Sequence, residues 1–298
     1  MEQPLVTVII VSYNHSKFIR ENLESIKNQT YKNIQLIVGD DASPDHSADV
    51  MTQWLKENNY SAETNFHNQN TGLAAMLNEC MELARGKYTK IIAADDYLHP
   101  EAIEKSVSKL EDAGEKYGMV FTNTYTVDNE SRIIKDVADY DTLGNIAPSL
   151  FRKELIVGNR IAALTVLLRT DVIKETGKYD TRFIVEDYYR WLKISEKYLI
   201  AYIPEKLAYY RIHSENISKV RAEKIEMETI LLQIMFDKEG AVKDRVNGHT
   251  QKYYLSGKNL SMEYRNAYQQ YPFHIKRLSF AIKNRLPAGL YKLLNKIV

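Results

Sequence analysis

The stretch that decides the fold is Val6-Thr-Val-Ile-Ile-Val11, which runs directly into Ser12-Tyr13-Asn14. An unbroken run of apolar and β-branched residues is typical of a strand that is buried on both faces of a parallel sheet. The polar residues end that strand, and Ile19, Leu23 and Ile26 then recur at the spacing of one helical face. The chain therefore begins with a predicted strand, loop and helix.

The same unit repeats along the first third of the chain. Alternating strands and helices imply right-handed crossovers and an α/β fold, with a mostly parallel, Rossmann-like central sheet flanked by helices. Ligands bind such sheets at the carboxyl ends of the strands. Further strands are predicted at 34–38, around Phe66 and at 88–94, and further helical faces around 50–55 and at 73–84.

The composition excludes several classes of protein. Lys and Arg number 40 against 39 Asp and Glu, so the chain lacks the positive charge that holds a protein on nucleic acid. Its single cysteine excludes an internal disulfide and a cysteine-rich zinc site. The N-terminus has neither the basic start nor the long apolar run of a signal segment, so we expect a cytoplasmic protein.

Two pairs of adjacent acids follow predicted strands. Asp95-Asp96 comes directly after an apolar run, and neighbouring carboxylates there repel each other unless a hard divalent cation is present. Asp40-Asp41 can accept hydrogen bonds from a ribose or from a uracil imide. Each pair has a plain alternative: Asp95-Asp96 can cap the helix that starts near Pro100 or face water, and Asp40-Asp41 can belong to a tight turn.

Several segments match one family pattern in chain order. They are Val6 to Asn14, Leu23 to Ile26, Asn28 to Thr30, Leu36 to Asp45, Asn70 to Ala75 with Asn78, Gly86 to Tyr88, and Ala94 to Pro100. Together they resemble the family 2 glycosyltransferases of the GT-A fold, the fold of nucleotide-diphospho-sugar transferases. The chain departs from the pattern at Leu77, where many members have Arg, and at Ala42, where Gly is usual.

The resemblance implies a role for each matched residue. Asp41 would contact uracil or its equivalent, Asp95 would meet the ribose, and Asp96 would bind the metal, Mn²⁺ or Mg²⁺, that bridges the diphosphate. The other residues of the nucleotide-binding pocket would be Ser12, Tyr13, Asn14, Asn70, Gly72 and Asn78.

Two segments of the second half also resemble family segments. Glu186-Asp187 matches a site where a carboxylate at the start of a helix acts as catalytic base, which we assign to Asp187 with Glu186 as its neighbour. In the segment around 210–218, His213 would ligate the metal and Arg211 would contact the diphosphate. The alternatives are that the acids only stabilise a helix N-terminus and that the histidine is structural.

These matches predict an inverting glycosyltransferase that moves a sugar from a nucleotide diphosphate donor, a UDP-sugar, to a hydroxyl of a glycan or lipid-linked glycan in cell-surface polysaccharide synthesis. The alternative is a catalytically inactive nucleotide-sugar-binding module, for which Leu77 is the only support. We expect a catalytic domain at residues 1–220, with a nucleotide-binding half at 1–99 and an acceptor half at 100–220. Residues 221–298 are expected to form a helical C-terminal region.

The C-terminal region carries two apolar stripes and many basic residues. Such helices suit an anionic membrane, so residues 272–298 are a candidate for peripheral contact with the inner face of the membrane, where lipid-linked acceptors reside. A helical cap or a homodimer contact would explain the stripes equally well. The first stripe is Ile275, Leu278, Ile282 and Leu286, and the second is Leu290, Leu293, Leu294 and Ile297.

Overall fold

The computed structural model describes residues 3–134 and 146–296. The chain divides into two compact units. The first contains the residues up to Arg152 together with Arg160–Val220, and the second contains Lys153–Asn159 together with the chain from Arg221 onward. All the loops that were predicted to carry chemistry belong to the first unit.

The first unit begins with four strands that run parallel to one another. They are β1 (Val6–Ser12), β2 (Ile34–Asp40), β3 (Glu63–Phe66) and β4 (Tyr88–Ala93), in the order β3, β2, β1, β4 across the sheet. The helices between them are α1 (Ile19–Lys27), α2 (Ser47–Glu57) and α3 (Leu73–Glu82). The predicted alternation of strand and helix is therefore confirmed.

The second half of this unit adds strands of both directions. The strands are β5 (Tyr97–Leu98), β6 (Tyr117–Val127), β7 (Ile133–Ile134), β8 (Leu167–Arg169) and β9 (Leu199–Arg211). The helices are α4 (Ala102–Ala113), α6 (Thr170–Thr176), α7 (Glu186–Ile194) and α8 (Ile217–Val220), with 3₁₀ turns at Pro148–Leu150 and Ala163–Thr165. Helix α5 (Phe151–Val157) begins in the first unit and continues in Lys153–Asn159 of the second. From β4 the sheet continues through β8, β6, β9 and β5, and β7 pairs with β6. Because β8 is antiparallel to both of its neighbours, the sheet becomes mixed beyond β4.

Burial of β1 on both faces explains why its carboxyl end is a fixed point. Every residue of the strand is buried. Val8 belongs to one core cluster with Leu23 of α1, whereas Ile9 belongs to another with Met76 of α3. Each such apolar side chain stabilises the fold by roughly 1.5–3 kcal/mol. Moving the strand would disturb both clusters, so the loop after Ser12 starts from a rigid support.

Lys90 places a basic group inside the core near β4. Its side chain is 3% exposed, and its Nζ donates a hydrogen bond to the carbonyl oxygen of Leu164 at 2.5 Å. Burial lowers the pKa of Lys90 from 10.5 to about 7, because the charged amine loses its water. The unfolded chain keeps this proton up to about pH 10.5, so the folded state gains stability from this group as the pH rises between about 7 and 10.5.

We expect Lys90→Met to raise the free energy of unfolding by about 1–3 kcal/mol near neutral pH, since no buried amine then has to lose its proton. The gain should shrink toward alkaline pH, where the unfolded lysine is also neutral. Urea unfolding followed by the fluorescence of Trp54 and Trp191, which both belong to the first unit, measures this. Lys87→Met, at an exposed site, is the control; equal changes in both variants would contradict the expectation.

The second unit is built from helices, α9 (Ala222–Phe236), α10 (Lys243–Leu255), α11 (Met262–Gln270), α12 (Lys276–Lys283) and α13 (Ala288–Lys296). Leu278 and Ile282 of the first predicted stripe are buried, whereas Ile275 of the same stripe is 38% exposed. Leu290 and Leu293 of the second stripe are exposed. Among residues 3–134 and 146–296, every helix is too short or too polar to span a bilayer.

Candidate active site

The loops after β1, β2 and β4 all leave the sheet at the side where these parallel strands have their carboxyl ends, here called the carboxyl edge. Ser12 is the register partner of Asp40, and Val11 is the register partner of Ala93. Residues that follow these strands are therefore delivered to the same place, as expected for parallel neighbours. Ser12 is buried there, whereas Tyr13 is 45% exposed.

The loops after β1 and β2 are fastened to each other. Three backbone N–H groups of the first loop donate to side-chain oxygens of the second: Asn14 to Ser43 Oγ at 3.0 Å, His15 to Ser47 Oγ at 3.1 Å, and Ser16 to Asp45 Oδ2 at 2.9 Å. Asn14 has a φ of 64°, the left-handed conformation that asparagine tolerates better than most residues. The first loop is thus held in one position before any ligand binds.

Asp41 fixes the loop that precedes α3. Its Oδ1 accepts from the Thr71 N–H at 2.8 Å and the Thr71 hydroxyl at 3.1 Å, and lies 2.9 Å from His67 Nδ1. Its Oδ2 accepts from the Gly72 N–H at 2.7 Å, where a φ of 90° favours glycine. Burial alone would raise the pKa of Asp41, but these hydrogen bonds outweigh it and lower the pKa. The predicted residues Asp41 and Gly72 meet, while Asn70 is exposed.

Asn78 connects α3 to the segment that precedes α7. Its side-chain amide donates to the Tyr179 carbonyl oxygen at 2.9 Å, and its side-chain oxygen accepts from the Tyr179 N–H at 2.7 Å. Burial raises the pKa of Tyr179 to about 12, and the nearby carboxylates of Glu186 and Asp187 add to the rise. The structure therefore uses Asn78 to bring the start of α7 beside α3, whereas the resemblance implied a contact with nucleotide.

Glu186 and Asp187 form the first turn of α7. Glu186 is buried and Asp187 is half-buried. Asp187 Oδ1 accepts the backbone N–H of Tyr188 at 2.5 Å. The N-terminus of a helix favours negative charge, so this position supports a carboxylate whether it caps the helix or also takes part in chemistry.

Asp95, His213 and His15 form a compact cluster, here called the Asp95 cluster. Asp95 Oδ2 lies 3.0 Å from His213 Nε2 and 3.7 Å from His15 Nε2. One ligand atom from each residue lies within 4.8 Å of the other two. Burial alone would raise the pKa of Asp95, but the hydrogen bond from His213 and the charges of both histidines outweigh it and lower the pKa.

Asp96 adjoins the Asp95 cluster but makes different contacts. Its Oδ1 accepts the backbone N–H of Arg211 at 2.8 Å, and its side chain is buried. Burial and the charge of Asp95 raise the pKa of Asp96 well above its ordinary value. The structure thus groups His213 with Asp95, which differs from the metal pair of Asp96 and His213 that the resemblance implied.

The side chain of Arg211 is fully buried, and each of its three nitrogens donates a hydrogen bond. Its Nε donates to the Asp95 carbonyl oxygen at 2.8 Å, its Nη1 to the Asp128 carbonyl oxygen at 2.7 Å, and its Nη2 to Ser131 Oγ at 3.1 Å and to the Glu21 carboxylate. Every guanidinium nitrogen therefore already donates at least one hydrogen bond within the chain, and the diphosphate contact that the resemblance implied for Arg211 stays a prediction. Arg211 holds the loop that carries Asp95.

Several buried polar atoms at this edge have no hydrogen-bond partner in the part of the chain that the structure describes. They are Ser12 Oγ, Asn14 Oδ1, His15 Nδ1 and Asp95 Oδ1. Native proteins pair almost all of their buried polar atoms, so such a group in one place indicates a site for a polar ligand. The sequence analysis did not single out His15, although it directly follows Asn14, the last residue of a matched segment.

Comparison with known proteins agrees with this geometry. Residues 7–167 match the model of glycosyl transferase family 2. WfaP of Escherichia coli, described as a UDP-Glc:alpha-D-GlcNAc-diphosphoundecaprenol beta-1,3-glucosyltransferase, is 29% identical over 231 residues, which cover 77% of this chain and 86% of WfaP.

Two solved structures share the fold. Staphylococcus aureus TarS 1-349 in complex with UDP aligns with a TM-score of 0.62 and 18% identity, covering 98% of this chain and 88% of TarS. The mannosyltransferase PcManGT of Pyrobaculum calidifontis in complex with GDP-Man and Mn²⁺ aligns with a TM-score of 0.63 and 18% identity, covering 99% of this chain and 80% of PcManGT. The predicted GT-A fold is confirmed. The family match covers more than half of the sequence, and the chain therefore belongs to glycosyl transferase family 2.

Proposed function

We propose that this glycosyltransferase moves a sugar, with inversion, from a UDP-sugar to a hydroxyl of a glycan or lipid-linked glycan. The observation that carries the proposal is the group of unpartnered polar atoms at the carboxyl edge of the sheet. Asn14 Oδ1 and Asp95 Oδ1 are acceptors that require donors, and Ser12 Oγ can donate or accept. Ribose hydroxyls and a uracil imide are donors of this kind.

Two relatives support a uridine donor. TarS was solved with UDP, and the name of WfaP specifies UDP-Glc, although PcManGT was solved with GDP-Man. In this chain, Asp41 Oδ1 already has three polar neighbours, whereas Oδ2 accepts one hydrogen bond and has a lone pair left. We assign the contact with the base to Asp41 Oδ2.

Asp187 is the residue that we assign as catalytic base. An alcohol becomes an effective nucleophile when its proton is removed as the new bond forms. Asp187 would accept this proton while the acceptor oxygen attacks the anomeric carbon on the side opposite the departing diphosphate. One displacement of this kind inverts the anomeric configuration. The pairing of Asn78 with Tyr179 supports the assignment, since it holds the start of α7 beside the nucleotide-binding half.

The Asp95 cluster fits a divalent cation, because imidazole nitrogens and a carboxylate oxygen lie within reach of one another. We assign Asp95 and His213 as ligands in place of Asp96 and His213, since Asp95 Oδ2 lies 3.0 Å from His213 Nε2. When bound, the cation would offset the negative charge that develops on the leaving diphosphate.

A lipid-linked acceptor is supported by the relative WfaP, whose name specifies a glycan on diphosphoundecaprenol. A lipid-linked acceptor and a place in cell-surface polysaccharide synthesis are therefore part of the proposal. Membrane contact through the first apolar stripe is left out of it, because Leu278 and Ile282 are buried. The exposed large apolar side chains of residues 272–293 include Ile275, Phe280, Leu290 and Leu293, and these are available for such contact.

A donor screen tests the proposed function. Thermal unfolding of the full chain is measured with UDP-, dTDP- and GDP-sugars, each with and without Mn²⁺. We expect a UDP-sugar to give the largest stabilisation, and to give it only with the cation, because ligands that bind the folded state raise its stability. UDP release with a diphosphoundecaprenol-linked GlcNAc acceptor then measures transfer. Absence of a shift with every donor would refute the proposal, and binding without UDP release would favour the inactive binding module.

A further inference from the structure

His15 belongs to the Asp95 cluster, but the ligands assigned above are only Asp95 and His213. Its Nε2 lies 3.7 Å from Asp95 Oδ2, and its Nδ1 is buried without a hydrogen-bond partner in the described residues. Its ring lies 6.3 Å from the ring of His213, measured between centroids, with the two planes nearly perpendicular. An imidazole in this position has the chemistry of a metal ligand and lacks the contacts of a structural histidine.

The backbone of His15 is fixed on both sides. Its N–H donates to Ser47 Oγ at 3.1 Å. Its carbonyl oxygen accepts the N–H groups of Phe18 at 2.9 Å and Ile19 at 3.3 Å, at the start of α1. These contacts hold the residue independently of any ligand, so only the side chain would need to adjust when a cation binds.

We propose that His15 is a third protein ligand of the divalent cation, beside Asp95 and His213. The inference rests on the proposed function for the presence of a cation. Two ligands about 2.1 Å from a metal ion are about 3.0 Å apart at a right angle and about 3.4 Å apart in a tetrahedron. The separations from Asp95 Oδ2 are 3.0 Å to His213 and 3.7 Å to His15, and the two histidine nitrogens lie within 4.8 Å of each other, so the side chains would have to draw together to bind one ion.

A third protein ligand changes which cations the site prefers, and it allows a cation to bind before the nucleotide donor does. Mg²⁺ prefers oxygen ligands, whereas imidazole is a good ligand for transition metals, and Co²⁺ and Zn²⁺ bind such sites more tightly than Mn²⁺ does. Three protein ligands also hold a cation before the diphosphate of the donor supplies further oxygens. We therefore expect the nucleotide-free protein to bind Mn²⁺ or Co²⁺ at least about tenfold more tightly than Mg²⁺.

Calorimetric titration of the nucleotide-free full chain with MnCl₂, CoCl₂ and MgCl₂ tests the inference. We expect His15→Ala and His15→Gln to weaken Mn²⁺ binding by at least about tenfold. His46→Asn is the matched control, because His46 has an 82% exposed side chain outside the cluster and its φ of 66° suits asparagine. Thermal unfolding in EDTA establishes that each variant is folded.

Unchanged Mn²⁺ affinity in both folded His15 variants, with affinity lost in Asp95→Asn, would overturn the inference. Equal affinity of the wild-type protein for Mg²⁺ and Mn²⁺ would overturn it as well. These failures are distinct from failure of the proposed function. If the protein transfers sugar but its Mn²⁺ affinity does not depend on His15, only the role of His15 as third ligand is refuted. If Mn²⁺ binding depends on His15 but no UDP-sugar binds, only the proposed function is refuted.

Discussion

Asp187→Asn is expected to lower kcat for sugar transfer by about 10² to 10⁴, the usual cost of losing a positioned general base. The affinity for the UDP-sugar should stay within about threefold of the wild-type value, since the substitution removes an interaction with the reacting hydroxyl and not with the donor. Steady-state kinetics gives kcat, and donor titration gives Kd. Retention of more than about a tenth of the wild-type kcat would exclude Asp187 as the base.

The chain offers a close control for this variant. Asp171 lies in the first turn of α6, and its Oδ1 accepts the N–H of the next residue, Val172, at 2.8 Å. Asp187 makes the same local contact with Tyr188. Asp171→Asn therefore removes an equivalent helix-terminal charge, and we expect it to leave kcat unchanged. Similar unfolding temperatures for both variants would show that a difference in kcat arises from chemistry and not from helix stability.

Arg211→Met is expected to lower the free energy of unfolding of the first unit by about 3–5 kcal/mol. The methionine fills much of the same volume, but Glu21 and the carbonyl oxygens of Asp95 and Asp128 lose their charged donor. A buried acceptor without a partner costs far more than the small net value of an ordinary hydrogen bond. Urea unfolding followed by tryptophan fluorescence measures the loss, because both tryptophans lie in the first unit.

Arg182→Met is the control for this experiment. Arg182 has a 54% exposed side chain and pairs with Asp180, and an exposed ion pair contributes at most about 1 kcal/mol. An Arg211→Met variant as stable as the wild type, with weaker binding of UDP, would support the diphosphate contact that the resemblance implied. If the Arg211→Met variant is destabilised but still binds UDP at low temperature, the result would confirm that Arg211 has a structural role.

The strands and helices around the site could be predicted because their signals are local. The apolar run of β1 and the helical spacing after it depend on residues that are close in the chain. The same holds for the acids after β2 and β4, since the carboxyl ends of parallel strands meet at one edge whatever the rest of the chain does. No local sequence pattern predicts β8 or its antiparallel direction, because a strand of three residues is too short to show a periodic pattern.

The contacts of individual site residues were harder to predict. Asn78 and Tyr179 are 101 residues apart, and Arg211 meets Glu21 across 190 residues. Nothing in either sequence neighbourhood indicates that these partners exist. The ligand contacts that the resemblance implied for Asn78 and Arg211 stay predictions, and the structure adds the contacts of both side chains within the protein.

By itself the sequence determined the parallel part of the sheet, the edge where we propose that a ligand binds, and the family, because apolar periodicity and short motifs act between neighbours in the chain. Only the tertiary structure decided which polar residues at that edge are used within the protein and which keep an open hydrogen-bonding position. The Arg211 guanidinium donates to Glu21, Ser131 and two backbone carbonyl oxygens, whereas Asp95 and His15 retain buried atoms without a partner in the described residues. The physical reason is competition: distant side chains share a limited number of donors and acceptors, and only their arrangement in space determines which pairs form.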